Sequence, residues 1–109
     1  MNILITGAWS EAKNHIGFIK EMGHTVSFLQ YEKDELPCNA EDIEYVICGR
    51  LFSYHPIELF TNLKNIQLTS AGYDHMPMEY IRNKGITLYN AKNVYSIPMA
   101  EYVLTGILN

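Results

Sequence analysis

Short apolar runs alternate with stretches of helical spacing along this chain. Asn2–Thr6 is an apolar run that stops at Gly7, the signature of a short buried strand. Ser10 then stands where a helix cap is expected, and residues 11–22 carry an apolar stripe of Ala12, Ile16 and Ile19 before Gly23 ends the helix. Thr25–Leu29 reads as a second strand. The polar stretch over residues 31–42 contains Pro37 and reads as a loop with a short helical turn near Ala40. Residues 44–48 form a third strand, again closed by a glycine, Gly49. Pro56 suits the first turn of a short helix through Leu63, and residues 66–69 form a fourth strand. Pro77 opens a helix through Asn83, with Gly85 just past its end, and residues 86–89 make a fifth strand. Pro98 opens a last helix that runs to Asn109.

Strands joined by helices imply a parallel sheet with right-handed crossovers. Five such units in one chain of 109 residues predict an α/β, flavodoxin-like three-layer sandwich with strand order 2-1-3-4-5. A chain of this length buries roughly two thirds of its unfolded surface, enough for one core without staples. Hydrophobic residues at 48% and charged residues at 18% fit an ordinary globular domain. The net charge of −4 and the lack of a basic run argue against nucleic-acid binding. No run approaches a membrane span, and no basic region followed by a long apolar stretch opens the chain, so a cytoplasmic protein is expected. Cys38 and Cys48 have neither zinc-knuckle nor CxxC spacing. Cys48 reads as a small core hydrophobe.

In such sheets ligands bind at the carboxyl ends of the strands. Gly7-Ala8-Trp9, Gly49-Arg50-Leu51, Ser70-Ala71-Gly72-Tyr73-Asp74 and residues 90–96 converge there. The Ser70-Ala71-Gly72 segment is the best candidate for a carboxylate cradle built from backbone N–H groups; the plainer alternative is a tight turn before the Pro77 helix. Arg50 is the cation at this mouth, able to meet a carboxylate through two parallel hydrogen bonds, although a solvated arginine is the commoner finding. Trp9, Tyr73 and Tyr95 either wall a pocket or serve as core and rim aromatics. The opening strand invites a dinucleotide reading. After Gly7 come Trp9, Ser10, Glu11 and Ala12, with no further glycine and with a carboxylate where a phosphate would sit, so that reading is rejected. The four histidines make no metal motif. His75 follows Asp74, but sequence neighbours point apart, and a surface or capping role is favoured over a catalytic pair, with Asp74 capping the next turn. Glu101 is read as complementing its helix dipole rather than as a base.

Four blocks, taken in order and spacing, resemble the D-2-hydroxyacid dehydrogenase family. They are Leu63-Lys64-Asn65-Ile66, then Ser70-Ala71-Gly72-Tyr73-Asp74-His75, then Lys84-Gly85-Ile86-Thr87-Leu88-Tyr89-Asn90, then Val94-Tyr95-Ser96-Ile97-Pro98-Met99-Ala100-Glu101. The resemblance implies a substrate-binding domain into which a Rossmann NAD(P) domain is inserted. It implies that Ala71 and Gly72 hold a substrate carboxylate, that Gly49 and Arg50 line the same cleft, that Tyr95 faces the substrate, and that Ser96 faces the nicotinamide. In the related formate dehydrogenases an asparagine stands in the place of Tyr95, which argues against formate. The family's catalytic arginine, glutamate and histidine come after a dinucleotide fingerprint that this chain does not contain, so the resemblance implies a partial substrate domain, inactive alone, with NAD or NADP bound only by a missing cofactor domain.

Other functions fit less well. A phosphoacceptor domain needs clustered carboxylates at the strand ends, and the first and third strands end in Thr6-Gly7 and Cys48-Gly49. A flavin site needs a Ser/Thr/Gly-rich loop that Gly7-Ala8-Trp9-Ser10 does not supply. A stand-alone binding or self-associating module is the alternative. Met99, Ala100, Val103, Leu104, Ile107 and Leu108 make the last helix apolar over more than one face, which predicts a homo-oligomer.

Overall fold

The computed structural model describes residues 1–90. The expectations for Tyr95, Ser96, Glu101 and the last helix lie outside the described residues. Within them the chain builds β1 (Asn2–Thr6), α1 (Ala12–Glu21), β2 (Thr25–Leu29), a 3-10 turn (Ala40–Asp42), β3 (Tyr45–Cys48), α2 (Leu51–Tyr54), a second 3-10 turn (Ile57–Leu59), β4 (Asn65–Leu68), α3 (Met78–Lys84) and β5 (Thr87–Tyr89). The five strands form one sheet in the order β2-β1-β3-β4-β5, and every pair is parallel. The expected α/β architecture and strand order are those found.

Register follows from the period of two along each strand. Ile3 pairs with Tyr45 and Ile5 with Ile47, and all four point to the face covered by α1, where Trp9, Ala12 and Ile19 complete the cluster. Leu4 pairs with Val46, Val46 with Ile66 and Cys48 with Leu68, and these point to the opposite face. There Leu51, Ile57, Phe60, Met76, Ile81 and Ile86 cover them. The central strands are therefore buried on both faces, as a parallel sheet requires. Each fully buried Ile or Leu contributes about 1.5–3 kcal/mol relative to exposure.

The helices depart from expectation in instructive ways. Helix α1 begins one residue later than the Ser10 cap predicts, with Glu11 at the cap position and no side-chain cap bond. The intervening turn, closed by Trp9 N–H to Thr6 O at 3.3 Å and Ala12 N–H to Trp9 O at 3.0 Å, draws the Trp9 indole into the core. The Pro56 helix shrinks to the 3-10 turn Ile57–Leu59, and a separate α2 forms before it. His55, which precedes the proline, is held extended (φ −124°, ψ 122°), and this divides the two. Gly85 ends α3 in the left-handed conformation, φ 70°, as its place in the sequence predicts. Gly7 has a packing role instead: a Cβ there would sit 2.2 Å from the Gln30 carbonyl oxygen. The β1 turn thus presses on the end of β2.

Both cysteines are free thiols. Cys48 is fully buried, and burial, with the Glu32 carboxylate nearby as the lesser cause, pushes its thiol far above the ordinary value of 9.0. An acid whose folded pKa is raised stabilises the fold below its unfolded pKa, and that contribution is lost as pH rises beyond it. The melting temperature should therefore fall as pH rises above 9.0. The Cys48→Ala variant should show a shallower fall over the same range, and parallel curves for the two proteins would contradict this assignment. In the native protein iodoacetamide should label half-buried Cys38 and spare Cys48.

Candidate functional site

The sheet order reverses between β1 and β3, and the crevice above their carboxyl ends is where this class of fold receives ligands. Three loops meet there. The β1 loop brings Gly7 and Ala8, the β2 loop brings Gln30 and Glu32, and the β3 loop brings Arg50. With Tyr54 they line an open cleft of about 340 Å³.

Glu32 sits at the base of this cleft. One carboxylate oxygen, Oε2, accepts a hydrogen bond from the Thr6 hydroxyl at 2.8 Å and from the Gly49 N–H at 2.9 Å. The other, Oε1, accepts from the Arg50 N–H at 2.8 Å. The Glu32 carbonyl oxygen accepts from His55 Nε2 at 2.8 Å. One residue thus ties the ends of β1 and β3 to the end of α2. Gly49 lies where these loops cross: an added Cβ would meet Ala8 Cβ at 3.1 Å, with Glu32 Oε1 and Thr69 Oγ1 each at 3.4 Å.

The β4 loop joins the same assembly from the other side. His75 is half-buried and donates from Nε2 to the Gly49 carbonyl oxygen at 2.8 Å. Both histidines point Nε2 at a carbonyl, so that nitrogen carries the proton in each. His75 is therefore a bridge between loops. Asp74 is exposed, and among the described residues it caps no turn and takes no hydrogen bond.

Ala71 and Gly72 are exposed at the top of the β4 loop. Their N–H groups donate to no acceptor among the described residues. The Ser70 hydroxyl holds the loop by donating to the Gly72 carbonyl oxygen at 3.0 Å. Among the described residues, Gly72 has neither a positive φ nor any atom within 4 Å of a would-be Cβ. Among them, neither turn geometry nor packing requires a glycine at this position.

The sequence-expected site residues fall into distinct places. The Gly49 and Arg50 N–H groups are occupied by Glu32, whereas the Arg50 side chain is exposed on the cleft. Trp9 is core and stacks on His15 at 5.3 Å, and Tyr73 is a half-exposed rim residue. Glu32 is the residue that sequence reasoning missed. Its one signal is position, three residues beyond the last residue of a strand that flanks the switch point.

Comparison with known proteins agrees with the fold. Residues 3–104 match the model of the D-isomer specific 2-hydroxyacid dehydrogenase catalytic domain. The chain belongs to the D-isomer specific 2-hydroxyacid dehydrogenase family. Among relatives of this dehydrogenase family, the erythronate-4-phosphate dehydrogenase of Pseudoalteromonas atlantica (strain T6c / ATCC BAA-1087) is 33% identical over 46 residues. That stretch is 42% of this chain and 12% of the relative, so the chain matches only a small part of that dehydrogenase's length.

Gly49→Ala should destabilise the fold by about 1–3 kcal/mol, because the added methyl overpacks the crossing of the loops. Gly17→Ala, at an open position within α1, should instead stabilise by about 1 kcal/mol. Urea unfolding of the two variants beside the parent checks the contrast.

Proposed function

We propose that this chain is the substrate-binding part of an NAD(P)-dependent D-2-hydroxyacid dehydrogenase. Its ligand is the carboxylate end of a small 2-hydroxy or 2-keto acid. The observation that carries this reading is the β4 loop, where the exposed N–H groups of Ala71 and Gly72 have no acceptor among the described residues and Gly72 has open space above it. A carboxylate approaching from solvent accepts from both groups, and a side chain at residue 72 would stand in its way. Arg50 supplies the opposing charge from the β3 loop, and Gly49 keeps that loop close by giving its own N–H to Glu32. Tyr95 for the substrate and Ser96 for the nicotinamide complete the assignment from outside the described residues.

A nicotinamide cofactor supplies or takes the hydride in such a reaction. The β1 turn of this chain does not suit its pyrophosphate. Gln30 fills the space beside Gly7, and Glu11 stands at the start of α1. The cofactor therefore belongs to a separate domain, and the described residues contribute binding and orientation rather than proton transfer. The same reading places the protein in the cytoplasm. No helix among the described residues is long and apolar enough to cross a membrane. The apolar stretch after Pro98 supports association with further copies or with the cofactor domain.

Titration of the chain with D-lactate or D-glycerate, followed by amide NMR, tests the site. The Ala71 and Gly72 signals should move together, with a dissociation constant on the order of millimolar for a half-built cleft. Arg50→Gln should weaken binding about tenfold through loss of a charge-assisted contact. Unmoved Ala71 and Gly72 signals at saturating acid would refute the proposed cradle.

A further inference from the structure

Beyond this carboxylate site, and resting on that reading, we infer that Glu32 is a positioning residue that sets the geometry of the β4 cradle through the peptide group between Gly49 and Arg50. That peptide is gripped at both ends. Its N–H, on Arg50, donates to Glu32 Oε1 at 2.8 Å, and its C=O, on Gly49, accepts from His75 Nε2 at 2.8 Å. Glu32 and His75 share no hydrogen bond, so the peptide plane is what joins them. A carboxylate at the N–H end polarises the peptide and strengthens its carbonyl as an acceptor, so the two bonds reinforce each other. His75 is the third residue after Gly72; it lies inside the turn that the Met76 N–H to Tyr73 O bond of 3.0 Å closes, and that turn begins at the residue after Gly72. Fixing His75 therefore fixes the segment that carries the Ala71 and Gly72 N–H groups. The neighbouring Gly49 N–H bond to Glu32 Oε2 keeps the peptide plane from rotating.

Glutamine at residue 32 separates this role from simple bulk. It has the same length, but one of its terminal atoms is an NH2 donor. In either orientation of the amide, that donor faces the N–H of Gly49 or of Arg50, and one of the backbone bonds is lost. Thr6→Val is the matched control. It removes the hydroxyl bond to the same carboxylate, and so loosens the fold, while leaving both bonds of the 49–50 peptide in place.

The test is nitrogen-15 NMR of the ligand-free chain carrying Glu32→Gln or Thr6→Val. Glu32→Gln should shift the His75 ring nitrogens and the Ala71 and Gly72 amides, and Thr6→Val should leave them unmoved. Changes in Glu32→Gln confined to residues 6, 49, 50 and 55 would overturn the relay, and so would equal movement of His75 in both variants. If Glu32→Gln does not fold, His75→Gln reads the connection in reverse: the Arg50 amide proton should move, and an unmoved proton would overturn the inference. Addition of D-lactate should then show affinity about tenfold weaker in Glu32→Gln than in the parent, as expected for losing a charge-assisted bond that orders the cradle. A parent chain that binds no 2-hydroxy acid would sink the substrate reading alone, since the His75 ring signals decide the relay without ligand.

Discussion

Ile3 stands opposite Tyr45 and Ile5 opposite Ile47, and this pairing of β1 with β3 decides the layout of the molecule. A slip of β3 by one residue would turn Val46 toward α1 and send Tyr45 and Ile47 to the other layer. Both layers are filled with large side chains, so neither accepts the exchange. The same register brings the end of β1 at Thr6 and the residue just past β3, Gly49, together at the carboxyl edge of the sheet, where one glutamate reaches both. The cleft is thus a product of strand pairing before it is a product of any loop.

The loops at the carboxyl edge of the sheet are joined largely through backbone groups. The Gly49 and Arg50 N–H groups hold Glu32, the Gly49 carbonyl holds His75, and the exposed N–H groups of Ala71 and Gly72 remain at the top of the β4 loop. Side chains act mostly as struts between loops.

The strands were legible because apolar runs ending at Gly7 and Gly49 leave few alternatives, and the β2-β1-β3-β4-β5 order follows from helices placed between them. The short helices were less so. Nothing local in Leu51–Tyr54 distinguishes a helical turn from a loop, and the restriction that Pro56 places on His55 outweighs the proline's value as a helix starter. Ser10 has the chemistry of a cap, but burial of Trp9 fixes where the chain turns. The loops after Gly49 and around Gly72 were recognisable from glycine and from the family blocks. Glu32 was not, because a lone acid among Tyr31, Lys33 and Asp34 looks like solvated charge. The absence of acids at the ends of the first and third strands, read as a mark against one function, also describes a vacancy that the loop after the second strand fills.

The donors that hold Glu32 are one hydroxyl and two main-chain N–H groups. Main-chain groups persist through almost any change of residue, so drift at Arg50 leaves its bond to Glu32 intact. The spacing from Leu29 to Glu32 has no such latitude, since an inserted or deleted residue would carry the carboxylate past the N–H groups that hold it. Lys33, Asp34 and Glu35, just beyond, are exposed. In a lineage of such proteins, length variation in this loop should therefore accumulate after the glutamate and stop short of it.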